Sequence, residues 1–148
     1  MKINPYLVFN GTCAEAMTFY NKVLGGKLDM MKFAGTPAAE HVPATSKDKI
    51  MHACLSFGDQ CVMASDCMPG QPEDMKGMSV TLHYDKPGDA DRAFTALSER
   101  GNITMPIGET FWAKRFGTFV DRFGTPWMIN CSKPMQEFEQ AMESYGKQ

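Results

Sequence analysis

Two rhythms of apolar positions alternate along this chain, one of period two and one of period 3.6. Ile3 to Phe9 is apolar and stops at Asn10-Gly11, the mark of a strand ending in a turn. Thr12-Cys-Ala-Glu15 has capping-box spacing, and Cys13, Ala16, Met17, Tyr20, Val23 and Leu24 then recur as on one helix face. The spacing predicts a helix over Thr12 to Leu24, stopped by Gly25-Gly26. Strands are predicted at Lys27 to Phe33, Ile50 to Phe57 and Cys61 to Ser65, the last two joined through Gly58-Asp59-Gln60. Ala34 to Lys49 reads as a long loop, and Asp66 to Gly77, with two prolines and two glycines, as a linker.

After that linker the sequence of elements starts again. From Met78 to Asp85, Val80, Leu82 and Tyr84 alternate with Ser79, Thr81 and His83, a half-buried strand. Ala90, Ala93, Phe94 and Leu97 mark a helix that ends near Arg100-Gly101-Asn102. Strands follow around Ile103-Thr104, over Thr110 to Val120 and over Thr125 to Cys131. A last helix runs from Met135 to Tyr145. The repeat, offset by about half the chain, predicts an α+β fold. It consists of two βαβββ units, residues 1–66 and 78–131, with a C-terminal helix at 134–146, all within one domain over 1–148. A sheet with one helix on one face needs a partner for its other face, so the units are expected to pair around a cavity.

Composition narrows the function classes. A chain of 148 residues with net charge −2 has no basic field for nucleic acid or anionic membrane. No apolar run approaches the ~20 residues that span a bilayer, and the N-terminal apolar stretch is short for a signal peptide, which points to the cytoplasm. Five cysteines, an odd number without Cys-x-x-Cys spacing, argue against a disulfide framework or a zinc knuckle. Thirteen methionines suit core packing and adaptable pockets. A copper(I) site is the sharper alternative, but no close Met-x-Met cluster supports it.

Three segments carry a resemblance: NPYLVFNGTCAEAMTFYNKVLGG (4–26), HACLSFGDQCVMASD (52–66) and ETFWAKRFGTFVDRFGTPWMIN (109–130). They resemble the PhnB-like group of the vicinal oxygen chelate superfamily, which includes glyoxalase I, bleomycin-resistance proteins and extradiol dioxygenases. The resemblance implies homodimers, with clefts built from both chains. It also implies four cavity-facing metal ligands, usually His, Glu or Gln, and the equivalent positions here are Asn4, Met63, Ser79 and Met128. Two thioethers and two neutral oxygen groups would leave a divalent cation uncompensated, so no superfamily-type metal and no cofactor are expected. His52 and His83 are the alternative ligands, and His41 lies in a loop. Some PhnB-like proteins carry a demethylubiquinone methyltransferase label. The chain lacks the Gly-x-Gly turn such a cofactor site ordinarily uses, which argues against methyl transfer.

Alternation and the resemblance together place Tyr6, Met63, Ser65, Thr81, His83, Met128 and Asn130 on the cavity face. Trp112, Lys114 and Phe116, with Phe111, stand at its mouth, and Arg115 lies in the same run. This apolar and aromatic lining with a few polar groups suits an unidentified small organic ligand, and a base beside rings suits an anionic or aromatic one. The same side chains would equally fill a core. No nucleophile–base pair is visible, so catalytic residues are unassigned, and Asp121 reads as the anchor of an Asx turn. The leading expectation is a metal-independent ligand-binding protein. The alternatives are an enzyme of unassigned reaction with a relocated metal or none, and a structural or regulatory dimer.

Overall fold

The structure is a computed structural model that describes residues 1–147. The chain divides into two compact units, Met1–Met75 and Lys76 onward. The boundary falls inside the linker expected at 66–77.

The first unit runs β1 (Tyr6–Phe9), α1 (Cys13–Leu24), β2 (Lys27–Lys32), β3 (Ile50–Phe57) and β4 (Gln60–Asp66). Its sheet has the order β1-β4-β3-β2, with β1 parallel to β4 and the other pairs antiparallel. The 34–49 stretch holds two 3-10 turns, Pro37–His41 and Ala44–Ser46. The second unit repeats the plan with β5 (Val80–His83), α2 (Pro87–Leu97), β6 (Asn102–Gly108), β7 (Ala113–Val120) and β8 (Pro126–Ser132), followed by α3 (Met135–Tyr145). Its order is β5-β8-β7-β6, with β5 parallel to β8. The α+β class and the doubled βαβββ order are as the apolar pattern predicts.

In each unit the helix covers one sheet face. In the first, Cys13, Ala16, Met17 and Tyr20 of α1 are buried, as are Leu7, Phe9, Ala53, Leu55, Val62 and Ala64 on the strands. In the second, Phe94 of α2 meets Phe119 edge-on at 5.1 Å, and Trp127 and Ile129 are fully buried. Gly117 makes this fit possible, because a Cβ there would lie 2.6 Å from the Phe94 ring and 2.8 Å from the Ile107 backbone. Alternation then sends the remaining strand positions to the opposite face, which we call the open face.

Local boundaries shift where tertiary contacts outweigh local signals. The predicted capping box does not form: Thr12 makes no side-chain cap bond. The α1 N-terminus is instead held by Asp66 at the end of β4, whose Oδ1 accepts from Cys13 N at 3.0 Å and whose Oδ2 accepts from Ile50 N at 2.8 Å. A carboxylate at a helix N-terminus also meets the positive end of the dipole. Both leading strands start late, so Asn4 precedes β1 and Ser79 precedes β5.

Burial, and then the Asp66 charge, push the Cys13 thiol from 9.0 up to about 12. A thiol held neutral in the fold ionises first in the unfolded chain. Its contribution is therefore fully present below about pH 9 and lost as pH rises toward 12. Urea midpoints measured across that window should fall with pH, and more steeply than in Cys13→Ala.

Candidate functional site: the open faces of the two sheets

On the first sheet, Tyr6, Met63 and Cys54 form one rung of the open face, and Val8 and Ser65 lie on the next. Tyr6 and Val8 are exposed there, and Met63 and Ser65 half-buried. The Tyr6 hydroxyl lies 3.3 Å from His52 Nδ1, so His52 shares the face. Ser65 and Val8 also line a hollow of about 540 Å³ at the end of the sheet. Its other walls are Phe33, Met51 and Met68, with Asp66, Cys67, Gln71 and Glu73 as polar groups. That volume is in the range of small-molecule sites. Sequence reading missed the hollow because the segment after β4 that builds it has no period and no motif.

On the second sheet two rungs carry the expected residues. Thr81, Met128 and Thr118 form one, and the Thr118 hydroxyl meets that of Thr104 at 2.6 Å. His83, Asn130 and Phe116 form the other. Asn130 Nδ2 lies 3.1 Å from His83 Nδ1 and 2.9 Å from Ser132 Oγ. An amide nitrogen only donates, so in this arrangement His83 Nδ1 is the acceptor. Asn130 is 7% exposed, and its Oδ1 has no hydrogen-bond partner among the described residues. A buried carbonyl oxygen without a donor costs about 1–3 kcal/mol, which a donor from a bound molecule would recover.

Aromatic rings continue from this rung. Phe116 meets Trp112 at 5.3 Å, Trp112 meets Phe111 at 4.8 Å, and Phe111 stacks on Phe138 of α3 at 6.3 Å. Of the two cations in this run, Arg115 lies away from the rings. Lys114 falls in the bulge between Ala113 and Arg115, without a register partner on β8. Arg115 turns to the helix side and binds Asp91 of α2 at 2.6 Å, because strand parity after the bulge puts it on the Gly117–Phe119 face. The base at the aromatic chain is Lys133, which pairs with Glu109 at 2.8 Å and donates its backbone N–H to the Trp112 carbonyl. Its hydrogen bond and its charge hold the Glu109 carboxyl below the usual carboxylate range. Nothing local marks this pair, since its members lie at opposite ends of the β7–β8 hairpin.

Asp121 is buried and structural. Its Oδ1 accepts from Phe123 N at 2.8 Å and Thr125 N at 3.0 Å, and its Oδ2 from Trp127 Nε1 at 2.8 Å. The Asx turn expected at Asp121 is present and extends to the indole.

Known proteins resemble this chain in sequence and fold. The model of the Glyoxalase/Bleomycin resistance protein/Dioxygenase superfamily matches residues 2–129. Protein YjdN of Escherichia coli (strain K12) is 35% identical over 143 residues, covering 90% of this chain and 97% of YjdN. The crystal structure of protein PA1353 from Pseudomonas aeruginosa is 48% identical with a TM-score of 0.83, covering 90% of this chain and 99% of that one. A Bacillus cereus structure described as a putative 3-demethylubiquinone-9 3-methyltransferase, PhnB protein, has a TM-score of 0.70. It covers 89% of this chain and 100% of that one, and at 23% identity it speaks for the fold alone.

Proposed function

Because the chain belongs to the Glyoxalase/Bleomycin resistance protein/Dioxygenase superfamily, we propose that it binds a small organic molecule on the open face of its second sheet, without metal chemistry. The observation that carries this reading is the unpartnered Asn130 Oδ1 beside His83 and the Phe116–Trp112 rings. In this reading the ligand donates to Asn130, meets His83 Nε2–H with an acceptor, and lays an apolar or aromatic surface on Phe116 and Trp112. Thr81 and Met128 extend that surface by one rung, and the hollow beside Ser65 offers a second ligand-sized space.

The residues at the superfamily's metal positions do not fit a divalent ion. Asn4 and Ser79 lie outside the strands, and Met63 and Met128 are neutral thioethers, so no step runs through such a metal here.

A melting-temperature screen of aromatic amphiphiles bearing an N–H or O–H donor tests the reading. A hit at 100 times its Kd should stabilise the protein by about 2.7 kcal/mol. Asn130→Leu should weaken the same compound by about 10-fold or more, and chelator should leave the apo melting temperature unchanged. Equal binding by Asn130→Leu would overturn the site. Stoichiometric metal that is lost in His83→Ala would overturn the metal-free part.

The homodimer belongs to the same reading. No residue of α3 is buried, and Met135, Met142 and Tyr145 are exposed along it. A helix with an apolar stripe needs somewhere to bury it. Sedimentation velocity should give twice the 16.5 kDa chain mass, and Met142→Glu should shift the protein toward monomer. A wild-type monomer at high micromolar concentration would refute the dimer.

A further inference from the structure

The open face of the first sheet gathers sulfur in a way that no stretch of sequence displays. Cys54 stands directly opposite Met63, and Ser56 directly opposite Cys61. The two thiols are therefore diagonal neighbours on one face, with the Met63 thioether beside both. All three residues are half-buried, so the sulfur groups are sheltered and still reachable. The Cys54 thiol lies 3.5 Å from the Ser56 hydroxyl. It also hydrogen-bonds the Cys61 thiol, which, after burial, holds that thiol's pKa above its ordinary value.

What can such a pair do? Direct oxidation is disfavoured, because diagonal partners in an antiparallel pair have Cα atoms about 7–8 Å apart. A disulfide rarely spans more than about 7 Å, and both cysteines are free. An ion that interposes two metal–sulfur bonds bridges that gap without moving the strands. Two thiolates and a thioether are soft donors, and the thioether and the count of three fit copper(I), whereas structural zinc takes four thiolate, imidazole or carboxylate ligands.

We propose that Cys54, Cys61 and Met63 form a copper(I)-binding site on the first sheet. Binding displaces the two thiol protons to solvent, leaves copper in the +1 state, and needs no redox partner. The site is independent of the organic-ligand reading, which rests on Asn130 of the other unit.

Anaerobic titration of the reduced full-length protein with copper(I), in competition with a chromophoric copper(I) chelator, tests this. One ion per chain is expected, with a sulfur-only first shell by X-ray absorption. Cys54→Ser and Cys61→Ser should each weaken binding by at least about 100-fold, the upper end of what outer-sphere changes alone cost. Met63→Leu should weaken it by about 10-fold. The Cys54→Ser/Cys61→Ser double variant keeps Cys13, Cys67 and Cys131, so one tightly held ion in that variant overturns the proposal. Should a serine variant fail to fold, wild-type protein still decides. Copper(I) must protect Cys54 and Cys61 together from alkylation mapped by mass spectrometry, and unchanged labelling of the two overturns the site.

Discussion

Asp121→Ala is expected to destabilise the second unit by about 3–4 kcal/mol, among the largest effects available to one substitution in this chain. The carboxylate is 4% exposed and accepts from two backbone amides and the Trp127 indole. Alanine leaves those three donors without this acceptor. Asp121→Asn keeps one acceptor and turns an NH2 toward a donor, so it should cost less, about 2 kcal/mol. Equilibrium urea denaturation followed by tryptophan fluorescence measures this directly. Trp127 is buried and Trp112 is partly exposed, and they are the chain's only two tryptophans. A Trp127→Phe cycle should assign about 1–2 kcal/mol of coupling to the Asp121–indole bond. An Asp121→Ala variant within 1 kcal/mol of wild type would show that the turn does not depend on this charge.

The second large effect lies at Asp66. It joins the first turn of α1 to the first residue of β3, elements 37 residues apart in the chain. Asp66→Ala should cost about 2–3 kcal/mol and speed hydrogen exchange at the Cys13 and Ile50 amides. Thr12→Ala should cost less than about 0.5 kcal/mol, well below an ordinary cap loss, because Thr12 makes no cap bond here. The comparison is decisive in sign: a larger loss for Thr12→Ala than for Asp66→Ala would restore the local capping box.

The contrast between Thr12 and Asp66 shows where sequence reading ends. A capping box is a short-range pattern, and TCAE satisfies it. Whether a threonine hydroxyl or a distant carboxylate reaches the amides depends on which strand end the fold brings alongside. A buried aspartate at the end of β4 accepts two N–H bonds at once, so it outcompetes the hydroxyl. The same limit hid Lys133 and Glu109, and it hid the pairing of Cys54 with Cys61 and Met63. These groups lie far apart in sequence or on opposite strands, and only register makes them neighbours.

Strand parity, by contrast, was legible. Alternation puts Tyr6, Met63, Thr81 and Met128 on one face, where they stand, and leaves their neighbours Leu7, Phe9, Trp127 and Ile129 for the helix side, where they are buried. Parity also holds at Arg115, which shares the helix side with Gly117 and Phe119 and binds Asp91 there.

What the sequence by itself determined was the menu of elements, their doubled order and the two-sided character of each strand. Those follow from periodicity, because a strand or helix must bury one face whatever it packs against. The residue chemistry at Asn4, Met63, Ser79 and Met128, the positions that the resemblance equates with superfamily ligands, likewise needs no coordinates. Tertiary structure alone decided which side chains meet across strands: Asp66 on two amides, Asn130 between His83 and Ser132 with one oxygen left over, and three sulfur groups on one sheet face. Those meetings depend on register, and register is set by the packing of whole sheets, which no local window of sequence contains.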